Sequence, residues 1–143
     1  MEGLSYIVVP YINPGEELSV AIGERLKPDT QIVFLANHGL IVTADTVDEC
    51  LRMHDDVNEL IAGSYGVSRC DYEGFSRKAD MTLYPDQQVY LSLTEAQREI
   101  MAAVMFIQFT LLRNGEEVQA MDEKAMDFIG NWESEAYRKT VLL

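Results

Sequence analysis

Apolar and polar positions along this chain predict short strands set between amphipathic helices. Tyr6-Ile7-Val8-Val9 is a β-branched run that closes at Pro10, and so reads as a strand over residues 6–9. Asn13-Pro14-Gly15-Glu16 follows as an N-cap, a proline at the first helical position and an acid at the third. Leu18, Ala21, Ile22 and Leu26 make one face of a helix over 15–26, and Pro28 stops it. A strand pair over 31–36 and 40–43 comes next. Thr46-Val47-Asp48-Glu49 is a capping box that opens a helix over 46–62. Val47, Cys50, Leu51, His54, Val57 and Ile61 form its apolar face, while Asp48, Glu49, Arg52, Asp55, Asp56 and Glu59 form a solvated one.

The pattern changes beyond this helix. Residues 63–79 mix glycine, serine and charge without a period and read as an irregular crossing. Tyr84-Pro85-Asp86 makes a turn before a strand over 88–91, and Thr94-Glu95-Ala96-Gln97 is a second capping box opening a helix over 94–112. Its 100–112 portion is apolar nearly all round, which predicts burial on several sides; Asn114-Gly115 ends it. Residues 121–139 are helical in pattern. The expectation is an α/β fold of three αβα layers with one mostly antiparallel sheet built from 6–9, 31–36, 40–43 and 88–91. An α/β domain over 1–92 would carry a helical carboxyl-terminal extension over 93–143.

Composition narrows the function classes. The chain has 143 residues, 48% hydrophobic and 24% charged, as a soluble globular protein with one core does. Eleven Lys and Arg against twenty-four Asp and Glu give a formal charge of −13, which argues against nucleic acid and anionic membrane as natural partners because both demand clustered cations. Cys50 and Cys70 form no C-x-x-C, and neither a signal-peptide pattern nor a long apolar span occurs, so the expected location is cytoplasmic.

The most informative stretch is residues 31–42, QIVFLANHGLIV. An apolar strand runs into Asn37-His38-Gly39 and resumes as Leu-Ile-Val, so one of only two histidines sits at a tight turn. Gly39 can take positive φ, and Asn37 is the next most tolerant residue type, so the turn can hold the imidazole without strain. Such placement suits a metal ligand. An imidazole beside a glycine turn ordinarily does no more than hydrogen-bond the backbone, and spacing alone leaves both readings open.

VVPYINPGEELSVAIGERL followed by QIVFLANHGLIVTADTVDEC resembles the class II aldolase/adducin family over about residues 5–58. YPDQQVYL resembles a later segment of its longer members, and the NWESEAYR stretch resembles their carboxyl end. The resemblance implies that His38 is the third histidine of a zinc site. It also implies a fold truncated relative to the full family domain, because the His-x-His pair that supplies the other two ligands, and the acid/base glutamate, have no match here. In the family, zinc steadies carbonyl and enediolate oxygens of a sugar or sugar phosphate while the glutamate moves the proton, in aldol cleavage, epimerisation or decarboxylation. The implied partners are the amino-terminal portion of the same enzyme or further copies in a homo-oligomer.

The remaining candidates have simpler uses. His54, on an apolar helical face, reads as a packed neutral histidine. Asp86 reads as a turn cap, the Met101, Met105, Phe106 and Phe109 stripe as core or subunit contact, and Trp132 with Tyr137 as an anchor for the last helix. Three functional readings follow in order: the carboxyl-terminal part of a zinc-dependent enzyme, inactive alone; a non-catalytic, adducin-like interaction module; and a globular domain in which the N-H-G turn is structural.

Overall fold

The computed structural model describes residues 5–68, 85 and 96–133, with backbone alone over 96–103. Met1–Arg69 and Cys70–Leu143 are two compact units. The first contains strand β1 (Tyr6–Val9), helix α1 (Glu16–Gly23), strands β2 (Ile32–Leu35) and β3 (Gly39–Val42), and helix α2 (Val47–Ser64). The strands stand in the order β1-β2-β3. β2 and β3 pair antiparallel, with Ile32 opposite Val42 and Leu35 opposite Gly39. β1 and β2 pair parallel, Tyr6 opposite Ile32 and Val9 opposite Leu35.

The described sheet is therefore mixed, where the pattern predicts a mostly antiparallel one. The cause is the connection from β1 to β2, which contains α1: a strand that leaves through a helix returns in the same direction, whereas a tight turn reverses it. The expected strand over 88–91 lies outside the described residues. The α/β class itself stands.

Alternation along the strands sends Val9 and Val33 to one face, where they form a buried cluster with Ala21 of α1, flanked by Ile7, Ile12, Leu18, Ile22 and Leu35. Tyr6 and Val8 point the other way and are about half exposed, and the Tyr6 ring meets Phe34 edge-on at 5.9 Å. Ile32, on that second face, is fully buried. α1 begins later than predicted. Its N-cap is Gly15, at φ 140°, which has no side chain to cap with; Asn13 lies two positions earlier, where its carboxamide oxygen accepts from the Tyr11 hydroxyl at 3.2 Å. The helix also ends earlier, at Gly23, and the Arg25 guanidinium closes its last turn by donating to the Ala21 carbonyl at 2.8 Å.

α2 carries the predicted capping box. Glu49 N–H donates to Thr46 Oγ1 at 3.2 Å, and Thr46 N–H donates back to the Glu49 carboxylate at 3.1 Å. It stops at a Schellman turn, in which Gly66 at φ 64° donates to Gly63 and Val67 donates to Ala62, each at 3.0 Å. The helix lies against β3. Its inward side is Val57, fully buried, with Cys50 and Met53 half-buried. The predicted apolar face is corrected here: Val47, Leu51, His54 and Ile61 are exposed. Of the predicted apolar positions, only the margin at Val57 and Cys50 is turned inward.

The second unit contains α3 (Ala96–Arg113) and α4 (Glu123–Asn131). Val104, Met105, Gln108 and Thr110 are buried, but Ile107 and Leu112 are more than half exposed, so α3 has a solvent side despite its nearly uniform apolar sequence. It ends as predicted at Asn114-Gly115: Gly115, at φ 77°, donates to Leu112, and Glu116 to Leu111. Asp122 caps α4 by accepting from Ala125 N–H at 2.7 Å, and the Phe128 and Trp132 rings lie 6.0 Å apart. Trp132, at ψ 124°, interrupts the helix within the predicted 121–139 segment, of which 134–139 lie outside the described residues. Asp86, Thr94 and Tyr137 lie outside the described residues.

Candidate metal centre

The N-H-G turn has the geometry its sequence predicts. Leu35 pairs with Gly39, so Ala36, Asn37 and His38 form the whole loop between β2 and β3. Ala36 N–H donates to the Val9 carbonyl at 2.9 Å and ties the entrance of the turn to β1; His38 N–H donates to the Leu35 carbonyl at 3.1 Å and closes it. Asn37 adopts φ 54° and Gly39 φ 155°. A Cβ on Gly39 would meet nothing within 4 Å, so its requirement is one of backbone conformation and not of space. The result is a hydrogen-bonded turn with His38 exposed at its tip.

An exposed imidazole on a fixed turn is available to a metal, but one ligand does not make a site. Among the described residues, no group of three His, Cys, Asp or Glu side chains could hold a metal ion. The donors described do not by themselves fit a zinc ion.

His54 is not a second ligand in waiting. It is exposed on α2, with the Asn58 carboxamide nitrogen 3.3 Å from its Nδ1 and the Asp55 carboxylate 3.9 Å away. The residue that the pattern places in the core is a surface histidine engaged with its own helix.

Sequence reading did not find the open groove of about 760 Å³ at the other end of the hairpin, lined by Asp29, Gln31, Thr43, Asp45, Arg52 and Asp56 among others. Gln31 and Thr43 meet there because the ladder continues past Ile32 and Val42, Thr43 N–H donating to the Gln31 carbonyl at 2.9 Å. These residues come from two loops and a helix, with no local motif to mark them. β2 separates the groove from His38 by its full length, at roughly 3.3 Å per residue. The groove and the histidine are separate features.

Residues 1–63 match a family model described as the Class II Aldolase and Adducin N-terminal domain. The matched stretch includes β1, α1, the N-H-G hairpin and nearly all of α2, and it bears out the resemblance read from the sequence over that stretch. No curated protein and no solved structure matches the chain significantly. Among the described residues, no helix is long and apolar enough to cross a membrane.

Proposed function

We propose, from the class II aldolase and adducin match over residues 1–63, that this chain acts as the carboxyl-terminal part of a zinc-dependent aldolase-like enzyme working on a sugar or sugar phosphate. His38 supplies one zinc ligand, and the other ligands and the acid/base glutamate come from an amino-terminal portion that joins it. The observation that carries this reading is the turn: within the matched stretch, the one exposed histidine at a strand junction is flanked by two positive-φ residues and closed by the Leu35 hydrogen bond. A structure of that kind orients an imidazole outward at low entropic cost. On this reading the chain alone does not turn over substrate, because three protein ligands are needed to hold a catalytic zinc and the described residues bring no such group together.

A second reading, a non-catalytic adducin-like interaction module, is favoured by one observation: α2 exposes Val47, Leu51 and Ile61 on a single side. Apolar side chains gathered on one side of an exposed helix are a common feature of contact surfaces.

Complementation separates the two. The chain is mixed with an amino-terminal class II aldolase portion bearing the His-x-His pair and the glutamate, and retro-aldol turnover is measured over a panel of sugar phosphates, with and without chelator. The expected result is chelator-sensitive turnover that falls at least about a hundredfold with His38→Ala, as loss of one of three zinc ligands requires. Turnover that persists in His38→Ala makes the histidine a turn residue only. No turnover with any amino-terminal portion favours the interaction module.

A further inference from the structure

The stop of α3 places side by side two groups that react with each other when free. Asn114-Gly115 is the one asparagine-glycine pair among the five asparagines of the chain. At such a pair the glycine backbone nitrogen can attack the asparagine side-chain carbonyl carbon, because no Cβ on the following residue blocks the approach. The bond from Gly115 N to Asn114 Cγ forms, the Cγ–Nδ2 bond breaks, and ammonia leaves with the proton of the Gly115 N–H. Water then opens the cyclic imide at either carbonyl and leaves aspartate or isoaspartate; nothing is oxidised or reduced.

In the folded chain both groups are held. The Asn114 carboxamide donates to the Thr110 carbonyl at 2.8 Å. Gly115 N–H donates to the Leu112 carbonyl at 3.1 Å and Glu116 N–H to the Leu111 carbonyl at 3.0 Å, a helix stop that requires the φ of 77° at Gly115. Asn58 and Asn131 make the same bond to the carbonyl four residues back, at 2.7 Å to His54 and 2.9 Å to Asp127, but Glu59 and Trp132 follow them. The glycine that lets α3 end is thus also the residue that makes Asn114 reactive.

We infer that Asn114-Gly115 is a covalent modification site gated by the end of α3, shielded while the stop is closed and converted one-way to isoaspartate and aspartate when that turn opens. Helix ends open at far lower free energy than the whole fold, so the gate is used under native conditions. Each conversion then disfavours reclosing. A carboxylate has no N–H to give the Thr110 carbonyl, and its charge falls at the negative end of the helix beside Glu116 and Glu117. Isoaspartate also adds a carbon to the main chain inside the span that the two bonds of the stop enclose.

The test incubates the full 143-residue chain at mildly alkaline pH, in buffer and in urea, and follows each asparagine by peptide mass spectrometry, with isoaspartate read by enzymatic methylation. In urea, Asn114 is expected to convert at least about tenfold faster than Asn58 or Asn131, and at least about tenfold faster than it does in the folded chain. Glu116→Pro keeps the reacting pair but removes the Glu116 N–H and pushes Gly115 toward extended backbone. Its rate in buffer should rise at least about threefold while its rate in urea matches the parent's. Asn114→Asp, which reproduces the charge, should speed amide exchange in the last turn of α3 by about two- to fivefold. Should Glu116→Pro not fold, the parent's rates in buffer and in urea decide. Equal rates in buffer and urea, no conversion in urea, comparable conversion at Asn58 or Asn131, a folded Glu116→Pro chain that converts no faster, or unchanged exchange in Asn114→Asp would each overturn the inference.

Discussion

Leu35 stands directly opposite Gly39 across the β2–β3 ladder, and its carbonyl accepts the His38 N–H at 3.1 Å. One residue thus sets both the register of the hairpin and the closure of the loop that carries the histidine. A slip of one position would turn every side chain of β3 to the opposite face. The backbone conformations of Asn37 and Gly39 hold the register against that slip.

The stability of the turn should follow from these two φ values. Asn37→Gly is expected to be close to neutral, whereas Gly39→Val should cost about 1–3 kcal/mol, the usual range for an L side chain in such backbone regions. Urea unfolding of both variants measures this. A neutral Gly39→Val would show that the turn relaxes and does not fix His38.

Burial on α2 makes a paired prediction. Val57→Ala should cost on the order of 2 kcal/mol, the loss expected of a fully buried aliphatic side chain, while Leu51→Ala should stay within about 0.5 kcal/mol. Thr46→Ala, which removes the bond from Glu49 N–H to Thr46 Oγ1 and leaves the one from the Thr46 backbone N–H to the Glu49 carboxylate, should cost about 1 kcal/mol. If Leu51→Ala proved as costly as Val57→Ala in thermal denaturation, Leu51 would be covered in solution.

For metal, titration calorimetry of the isolated chain with zinc is expected to show no one-to-one binding in the micromolar range, and His38→Ala should give the same trace as the parent. A single imidazole cannot supply the affinity of a three- or four-ligand site. Micromolar one-to-one binding that His38→Ala abolishes would mean that this chain completes its own site.

The open side of β1 bears on association. Val8 is 57% exposed and Tyr6 48%, on an outer strand of the described sheet. Exposed apolar strands of this kind are normally paired or covered. The chain should therefore sediment as a dimer or larger ring, and Val8→Lys should return it to 16.2 kDa. A single 16.2 kDa species in the parent would dispose of this expectation.

Features set by a few neighbouring residues were legible in the sequence. The N-H-G turn depends on which residue types tolerate positive φ, the Thr46–Glu49 box on a three-residue spacing, and the end at Gly115 on a residue without a Cβ; each is local chemistry, and each is present. Asn13 shows where local reading stops: the helix starts two residues later than a cap at Asn13 requires, with Gly15 at the N-cap and Asn13 bonded to Tyr11.

Only the tertiary structure decided what each element faces. The apolar positions of α2 span an arc that several orientations could bury, and contact with β3 settled on the margin at Val57, leaving His54 and Leu51 in solvent. The parallel pairing of β1 with β2, and the groove where Gln31 meets Thr43, depend likewise on contacts between residues distant in sequence. Periodicity shows that a helix or strand has an apolar side, but the area available on its neighbours determines how much of that side is buried.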